Sequence, residues 1–190
     1  MNNQLTPLQS LELIQAMISK TRGSLRDNRF YFLFWGWLAF TGLLLQFVLK
    51  AWLQYPHHYL VWLITFPAVA ITIWRARKHQ RKGPRTYIGD SMSQLWLGIG
   101  ISFFVLCFII ANGPVGWHYA YPFFILFYGL GTFVSGRLLQ FRPMIVGGVF
   151  NWLLAAVCPL VAYDYQMLLS ALALLTSYII PGHLLNKGKQ

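Results

Sequence analysis

The chain has 190 residues, of which 57% are hydrophobic and only 10% are charged, whereas an ordinary soluble domain contains about 25% charged residues. A water-soluble core of this size could not enclose so much Leu, Phe and Trp without exposing large apolar patches, so the composition excludes a soluble globular domain. The net charge of +11 could indicate nucleic-acid binding, but the basic residues lie between apolar runs, where they orient membrane spans and meet lipid headgroups.

The first 29 residues precede the apolar runs and predict an amphipathic helix. Thr6-Pro7 followed by Gln9 is a typical helix start. Apolar residues then recur at helical spacing, at Leu11, Ile14, Ile18 and Leu25. We expect this helix to lie on the cytoplasmic face of the membrane, with its basic end near anionic headgroups. Packing onto the inner ends of the bundle, or pairing with a second copy, is an equal alternative.

Six apolar runs follow, and each is close to the roughly 20 residues that cross a hydrocarbon core of about 30 Å. They lie near residues 30–50, 58–74, 93–111, 119–140, 144–163 and 166–185. The second run is short and contains Pro67, which a spanning helix tolerates when neighbouring groups satisfy the freed carbonyl. The sequence therefore predicts an all-α, polytopic transmembrane bundle of six spans over residues 30–185, with a cytoplasmic tail at 186–190.

The basic residues between the runs predict the orientation, because short connections rich in Lys and Arg stay in the cytoplasm. Fourteen of the 15 Lys and Arg residues fall in the leading segment, the second and fourth connections and the tail, and only Lys50 falls on the other side. Connections rich in basic residues thus alternate with connections poor in them, and one span more or fewer would break this alternation. We therefore predict a multi-pass protein of the bacterial cytoplasmic (inner) membrane, with both termini in the cytoplasm.

Eight basic residues near the predicted cytoplasmic surface are candidates for contact with lipid or with a partner: Arg75, Arg77, Lys78, Arg81, Lys82, Arg85, Arg137 and Arg142. Extension of these side chains to the headgroups is their ordinary behaviour, and a specific site for an anionic lipid or a partner carboxylate is the sharper hypothesis. Anionic membrane lipids are the expected partners, together with a protein partner or a second copy of the chain. Nucleic acid is not expected.

Two of the spans resemble each other. The first reads LFWGWLAFTGLLLQF over Leu33 to Phe47, and the fourth reads LFYGLGTFVSGRLLQF over Leu126 to Phe141. With one gap, nine of the fifteen aligned positions are identical. Spans three apart run in opposite directions, as in inverted-repeat transporters, which bind solutes near the midplane. Composition alone also makes Leu- and Phe-rich helices resemble one another, so the repeat is a hypothesis.

The predicted membrane interior contains few ionisable or amide side chains. The four acidic residues lie in the leading helix or near span ends, which argues against a carboxylate-driven antiporter or pump; they are Glu12, Asp27, Asp90 and Asp164. An amide in hydrocarbon must find a partner or face a cavity. Gln46 and Asn151, with Gln140 as the counterpart of Gln46 in the repeat, are therefore the candidate ligand-binding residues.

Small residues in the spans would permit close contacts between helices. They occur at Gly98 and Gly100, at Ser135 and Gly136, and at Gly147 and Gly148.

The sequence indicates no catalytic or cofactor site. It contains no G-x-S-x-G, H-E-x-x-H, P-loop or C-x-x-C motif, so no catalytic residue is predicted, although membrane enzymes without such motifs leave activity open. His57, His58 and His118 could meet at the outer face, where histidines from different helices can bind a metal or a haem. No ligand spacing or acidic neighbour accompanies them, and neither a metal nor a cofactor is predicted.

Three segments, SLELIQAMISKTRGSL, LFWGW and SYIIPGHLL, resemble a group of small, uncharacterised multi-span membrane proteins of Bacteroidota. The resemblance covers most of the chain and implies no activity, cofactor or catalytic residue. The leading hypothesis is a non-enzymatic scaffold or sensor subunit with a basic cytoplasmic face. The alternative is a small transporter or channel-like carrier of a neutral or amphiphilic solute, built on a 3+3 inverted repeat.

Overall fold

A computed structural model describes residues 29–80, 87–114 and 116–184, and within these ranges the chain is helical, with no strand. The all-α prediction is confirmed. Three predicted features concern residues outside the described ranges and stay predictions. They are the amphipathic helix before the first span, the contacts of Arg81, Lys82 and Arg85 with lipid or a partner, and the tail at 186–190.

Six long helices form the described part of the chain. In chain order they are α1 (Arg29–Trp52), α2 (Thr65–Gln80), α3 (Tyr87–Asn112), α4 (Ala120–Leu138), α5 (Arg142–Val157) and α6 (Tyr163–Leu184). Short 3₁₀ segments extend three of them: His58–Ile64 leads into α2, Trp117–Tyr119 leads into α4, and Cys158–Leu160 follows α5. Two stretches are π-helical, Val48–Trp52 at the end of α1 and Leu175–Ile179 within α6.

Five of the six helices are long and apolar enough to cross a membrane, namely α1, α2 with its 3₁₀ segment, α3, α5 and α6. The prediction of a membrane protein with several helical spans agrees with this finding. α4 is not among the five. It has 19 residues, but it contains three glycines, two tyrosines, hydroxyl side chains and Arg137, which lower its mean hydropathy.

α4 lies at the centre of the bundle, where it packs most extensively against α5 and also contacts α3 and α6. Small residues bring the α4 and α5 backbones together: a Cβ added at Gly136 would lie 2.8 Å from the Ile145 nitrogen, and one at Gly148 would lie 2.7 Å from the Phe133 nitrogen. The low hydropathy of α4 thus has a packing cause, because its small and hydroxyl residues are buried against other helices, at Gly129, Gly131, Thr132, Ser135 and Gly136.

The close contacts predicted from small residues form in the centre and not in α3. A Cβ added at Gly147 would lie 2.9 Å from the Thr176 carbonyl oxygen of α6. By contrast, nothing lies within 4 Å of a Cβ added at Gly98 or Gly100. Within the described chain these two glycines therefore make no close helix contact, because they lie on the outward face of α3.

The remaining helices surround this centre. α1 packs on α6, where a Cβ added at Gly36 would lie 3.0 Å from Tyr178 Cβ. α2 lies against α1, and Trp35 Nε1 donates a hydrogen bond to Thr72 Oγ1 at 3.2 Å. Only 6% of the α2 span and 11% of the α3 span is buried, against 56% for α6. α2 and α3 thus present their apolar side chains outward, as helices at the lipid boundary do.

The two ends of the bundle differ in charge. We name them the Lys50 end, formed by the end of α1 and the starts of α4 and α6, and the Arg137 end opposite to it. At the Lys50 end, Lys50 Nζ lies 2.8 Å from Asp164 Oδ1. The other six Lys and Arg residues of the described ranges lie at the Arg137 end, at Arg29, Arg75, Arg77, Lys78, Arg137 and Arg142. Fixed positive charge is therefore paired at one end and accumulates at the other.

Candidate functional site

The side chain of Gln46 joins three elements at the Lys50 end. It lies in α1 and is only 3% exposed. Its Oε1 accepts hydrogen bonds from Trp62 Nε1 at 2.7 Å and from Tyr121 Oη at 3.0 Å. An indole nitrogen can only donate, so the amide oxygen must face Trp62. Both lone pairs of this oxygen are used, and one amide connects α1 to the segment before α2 and to α4.

This orientation of Gln46 determines the protonation state of His58. With the amide oxygen facing Trp62, Gln46 Nε2 lies 3.2 Å from His58 Nδ1. An amide nitrogen can only donate, so Nδ1 must accept, and the single ring proton of His58 is on Nε2. A protonated His58 would place one N–H group against another. The arrangement therefore requires a neutral imidazole.

A second group of contacts continues from Tyr121 to the start of α6. The rings of Tyr121 and Tyr163 pack with their centroids 5.5 Å apart. Lys50 Nζ lies 3.6 Å from the centroid of the Tyr163 ring while it pairs with Asp164. The carboxylate and the ring face together hold the ammonium group. We call these side chains the Lys50-end cluster, which comprises Gln46, Lys50, His58, Trp62, Tyr121, Tyr163 and Asp164.

The three histidines singled out in the sequence bond to different partners. His58 contacts Gln46, whereas His57 Nδ1 lies 3.0 Å from Tyr59 Oη and His118 Nε2 lies 3.4 Å from Gln166 Nε2. Among the described residues, no three His, Cys, Asp or Glu side chains are grouped so that they could hold a metal ion.

The three candidate ligand-binding amides do not form one site. Gln140 lies in the turn between α4 and α5 at the Arg137 end, where it is exposed and has a left-handed φ of 52°. Asn151 is fully buried in α5, and its Nδ2 donates to Ser177 Oγ at 3.1 Å. Gln46 lies at the opposite end from Gln140. Since no hydrogen bond links the three amides, a ligand held by all of them is not supported by this geometry.

The paired positions of the proposed repeat also have different surroundings. Gln46 is helical and buried, whereas Gln140 is exposed in a turn. Gly36 packs against α6, and Gly129 packs against Trp152 of α5. Under a 3+3 repeat α6 corresponds to α3, and α5 to α2, so the two glycines contact helices that are not equivalent. The inverted repeat and the carrier alternative built on it stay predictions.

Basic and aromatic side chains are combined at the Arg137 end. The guanidinium carbon of Arg75 lies 3.9 Å from the centroid of the Phe30 ring, and Lys78 Nζ lies 5.1 Å from that of Trp74. Arg29 Nε donates to the Gly182 carbonyl at 3.2 Å. Three further cations are exposed here, at Arg77, Arg137 and Arg142. Rings and cations at one end of a helical bundle are typical of a membrane interface.

The sequence did not predict the Lys50-end cluster, although one signal pointed toward it. Trp, Tyr and His residues are concentrated in the connections at that end, as is typical of a membrane interface. Pairing between Lys50 and Asp164 depends on the proximity of α1 and α6, which lie more than 100 residues apart in the chain.

No protein-family model matches this chain, and neither a curated protein nor a solved structure matches it. The resemblance to multi-span proteins of Bacteroidota stays a prediction.

Proposed function

We propose that the chain is a six-span protein of the bacterial cytoplasmic membrane, which acts as a non-enzymatic scaffold or sensor subunit and presents the Arg137 end to the cytoplasm. The single observation that carries the proposal is the distribution of charge. Among the described residues, the one Lys or Arg at the Lys50 end is paired with Asp164, while six lie at the other end. Basic residues at membrane-proximal positions are retained in the cytoplasm.

The position of α4 supports a sixth span. Its 19 residues extend about 28 Å as an α-helix, which is close to the thickness of a hydrocarbon core. Tyr121, near its start, belongs to the Lys50-end cluster, and Arg137 lies at the opposite end. Since α4 lies alongside α3, α5 and α6, a crossing by these three favours a crossing by α4.

The chemistry of the Arg137 end favours an anionic lipid headgroup as the first partner. Each Lys or Arg close to an anionic membrane surface contributes about 1 kcal/mol of attraction. Aromatic rings beside Arg75 and Lys78 suit the headgroup level, where amphipathic rings prefer to lie. A partner protein bearing carboxylates, or a second copy of the chain, would use the same cations.

Thermal unfolding in nanodiscs of two compositions tests this proposal. We expect a higher melting temperature (Tm) with phosphatidylglycerol than with phosphatidylcholine alone, and a smaller difference at high salt. The double variant Arg137→Gln, Arg142→Gln is expected to reduce the lipid-dependent difference. Lys50→Gln serves as the matched control, since it removes one cation from the other end and should leave that difference unchanged. Equal Tm values in the two lipids would remove the support for a lipid-binding basic face.

A further inference from the structure

Two hydroxyl groups of α4 differ from the other helical hydroxyls of the described chain. Most Ser and Thr side chains in these helices donate to a backbone carbonyl of the preceding turn, at Thr41, Thr72, Ser102, Ser170, Thr176 and Ser177. By contrast, Thr132 Oγ1 and Ser135 Oγ are fully buried and have no hydrogen-bond partner. Their spacing of three residues places them on one face of α4.

Two of the helices that pack on α4 also carry a buried oxygen without a hydrogen-bond partner. Asn151 Oδ1 of α5 and Tyr178 Oη of α6 are buried without a hydrogen-bond partner. Asn151 bonds through its nitrogen to Ser177, the residue before Tyr178. The Tyr178 ring packs on Tyr128, with centroids 5.5 Å apart, and Tyr128 precedes Thr132 by one helical turn. Asn151 also lies close to α4, since a Cβ added at Gly129, three residues before Thr132, would lie 3.1 Å from Asn151 Cβ. Thr132, Ser135 and Asn151 therefore lie where α4 meets α5 and α6, whereas the Tyr178 ring also packs on Phe32 of α1 and Trp96 of α3.

The backbone of α6 departs from α-helical geometry at this interface. Residues Leu175–Ile179 are π-helical, and they include both Ser177 and Tyr178. Single π-helical turns inside α-helices occur frequently at functional sites. This observation is independent of the unpartnered oxygens and falls on the same turn of the same helix.

The oxygens determine what kind of ligand fits. A buried polar group without a hydrogen bond destabilises the fold, and buried polar groups are commonly satisfied by water. The only Lys, Arg, Asp or Glu residues of α4, α5 and α6 lie near the helix ends, at Arg137, Arg142 and Asp164, so an ion in the middle would have no counter-charge. The ligand must also donate to Asn151 Oδ1, which only accepts, and bond to hydroxyls.

We infer that the interface between α4, α5 and α6 binds ordered water, held by Thr132, Ser135 and Asn151. Water is neutral, both donates and accepts, and commonly makes about three hydrogen bonds when buried. This site is distinct from the Lys50-end cluster and does not depend on the proposed scaffold role.

Water-edited solid-state NMR of the full chain in bilayers tests the inference directly. Magnetisation from water should reach the side chains of Thr132, Ser135 and Asn151 faster than that of Ile125, which is equally buried but apolar. Transfer to the three polar side chains that is no faster than transfer to Ile125 would overturn the inference.

Removal of the hydroxyl groups gives a second test, because a hydrated and a dry interface predict changes in Tm of opposite sign. If the hydroxyls bind water, Thr132→Val and Ser135→Ala each lose a hydrogen bond, and the Tm of the full chain in nanodiscs should fall by about 2–4 °C. If they are dry, each change removes a costly buried polar group, and the Tm should rise. Ser170→Ala is the matched control, since that buried hydroxyl already donates to the Gln166 carbonyl. An unchanged or higher Tm in both test variants contradicts the inference.

Discussion

Gln46 illustrates how much can be derived from a single side chain in an apolar environment. The sequence predicted that this amide needs a partner, since an unpaired amide in hydrocarbon is costly. The described partners are Trp62, Tyr121 and His58. Their identity was not predictable, because it depends on how α1 packs against α4 and the segment before α2, and hydrophobic periodicity does not determine which helices are neighbours.

Replacement of Gln46 should destabilise the bundle. Gln46→Met keeps the length of the side chain but leaves the Trp62 N–H and the Tyr121 O–H without an acceptor, at a cost of about 1–3 kcal/mol. We expect a lower Tm in detergent or nanodiscs. Gln94→Met is the matched control, because Gln94 is exposed on α3. Equal effects of the two substitutions would show that the Gln46 hydrogen bonds contribute nothing to stability.

The neutral state of His58 predicts sensitivity to acid. The folded chain uses Nδ1 of His58 as an acceptor, so the unfolded chain binds the proton more tightly, and stability falls as the pH is lowered. The loss should begin below about pH 6.5, where a free imidazole takes up a proton. We expect the Tm to fall between pH 7.5 and pH 5.

A pair of histidine variants isolates this effect. His58→Gln should remove much of the difference in Tm between pH 7.5 and pH 5, whereas His57→Gln should retain it, because His57 lies outside the Gln46 contacts and bonds to Tyr59. The same pH dependence in both variants would assign the acid sensitivity to another group.

At the scale of the helix, the lower hydropathy of α4 and its central position have the same origin. Sequence patterns predicted a helix near residues 119–140, and the structure places α4 at Ala120–Leu138. They also predicted contacts at Gly136 and Gly148, and both glycines do bring the α4 and α5 backbones together. The outward position of Gly98 was not predictable, because a glycine in an apolar run looks the same whether it meets a helix or lipid.

Two glycine-to-alanine changes distinguish a glycine that meets another helix from one that faces outward. In an open helical position alanine is favoured over glycine by about 1 kcal/mol, so Gly98→Ala should leave the Tm unchanged or raise it slightly. Gly148→Ala places a Cβ 2.7 Å from the backbone nitrogen of Phe133, and overpacking of this kind costs about 1–3 kcal/mol. We therefore expect a lower Tm for Gly148→Ala, and similar Tm values for the two variants would contradict the close packing of α4 on α5.

At the scale of the whole molecule, apolar run length and charge carry most of the predictive information. Both depend on local composition, which the sequence states directly, so the helices and the accumulation of cations could be predicted. Other features depend on which helices are neighbours and could not be predicted. They are the Lys50–Asp164 pair, the separation of the three amides, and the unpartnered oxygens of Thr132 and Asn151. Hydropathy alone also undervalues α4, since a central helix gains its stability from contact with other helices.

Cysteine labelling in intact cells tests most directly whether α4 crosses the membrane and whether the Arg137 end faces the cytoplasm. In a background with Cys107→Ala and Cys158→Ala, we expect Trp117→Cys, beside the start of α4, to react with a membrane-impermeant maleimide in intact cells. Gln140→Cys, just after the end of α4, should react only after permeabilisation. Labelling of both cysteines from the same side would show that α4 does not cross, and the reverse pattern would show that the basic end faces outward.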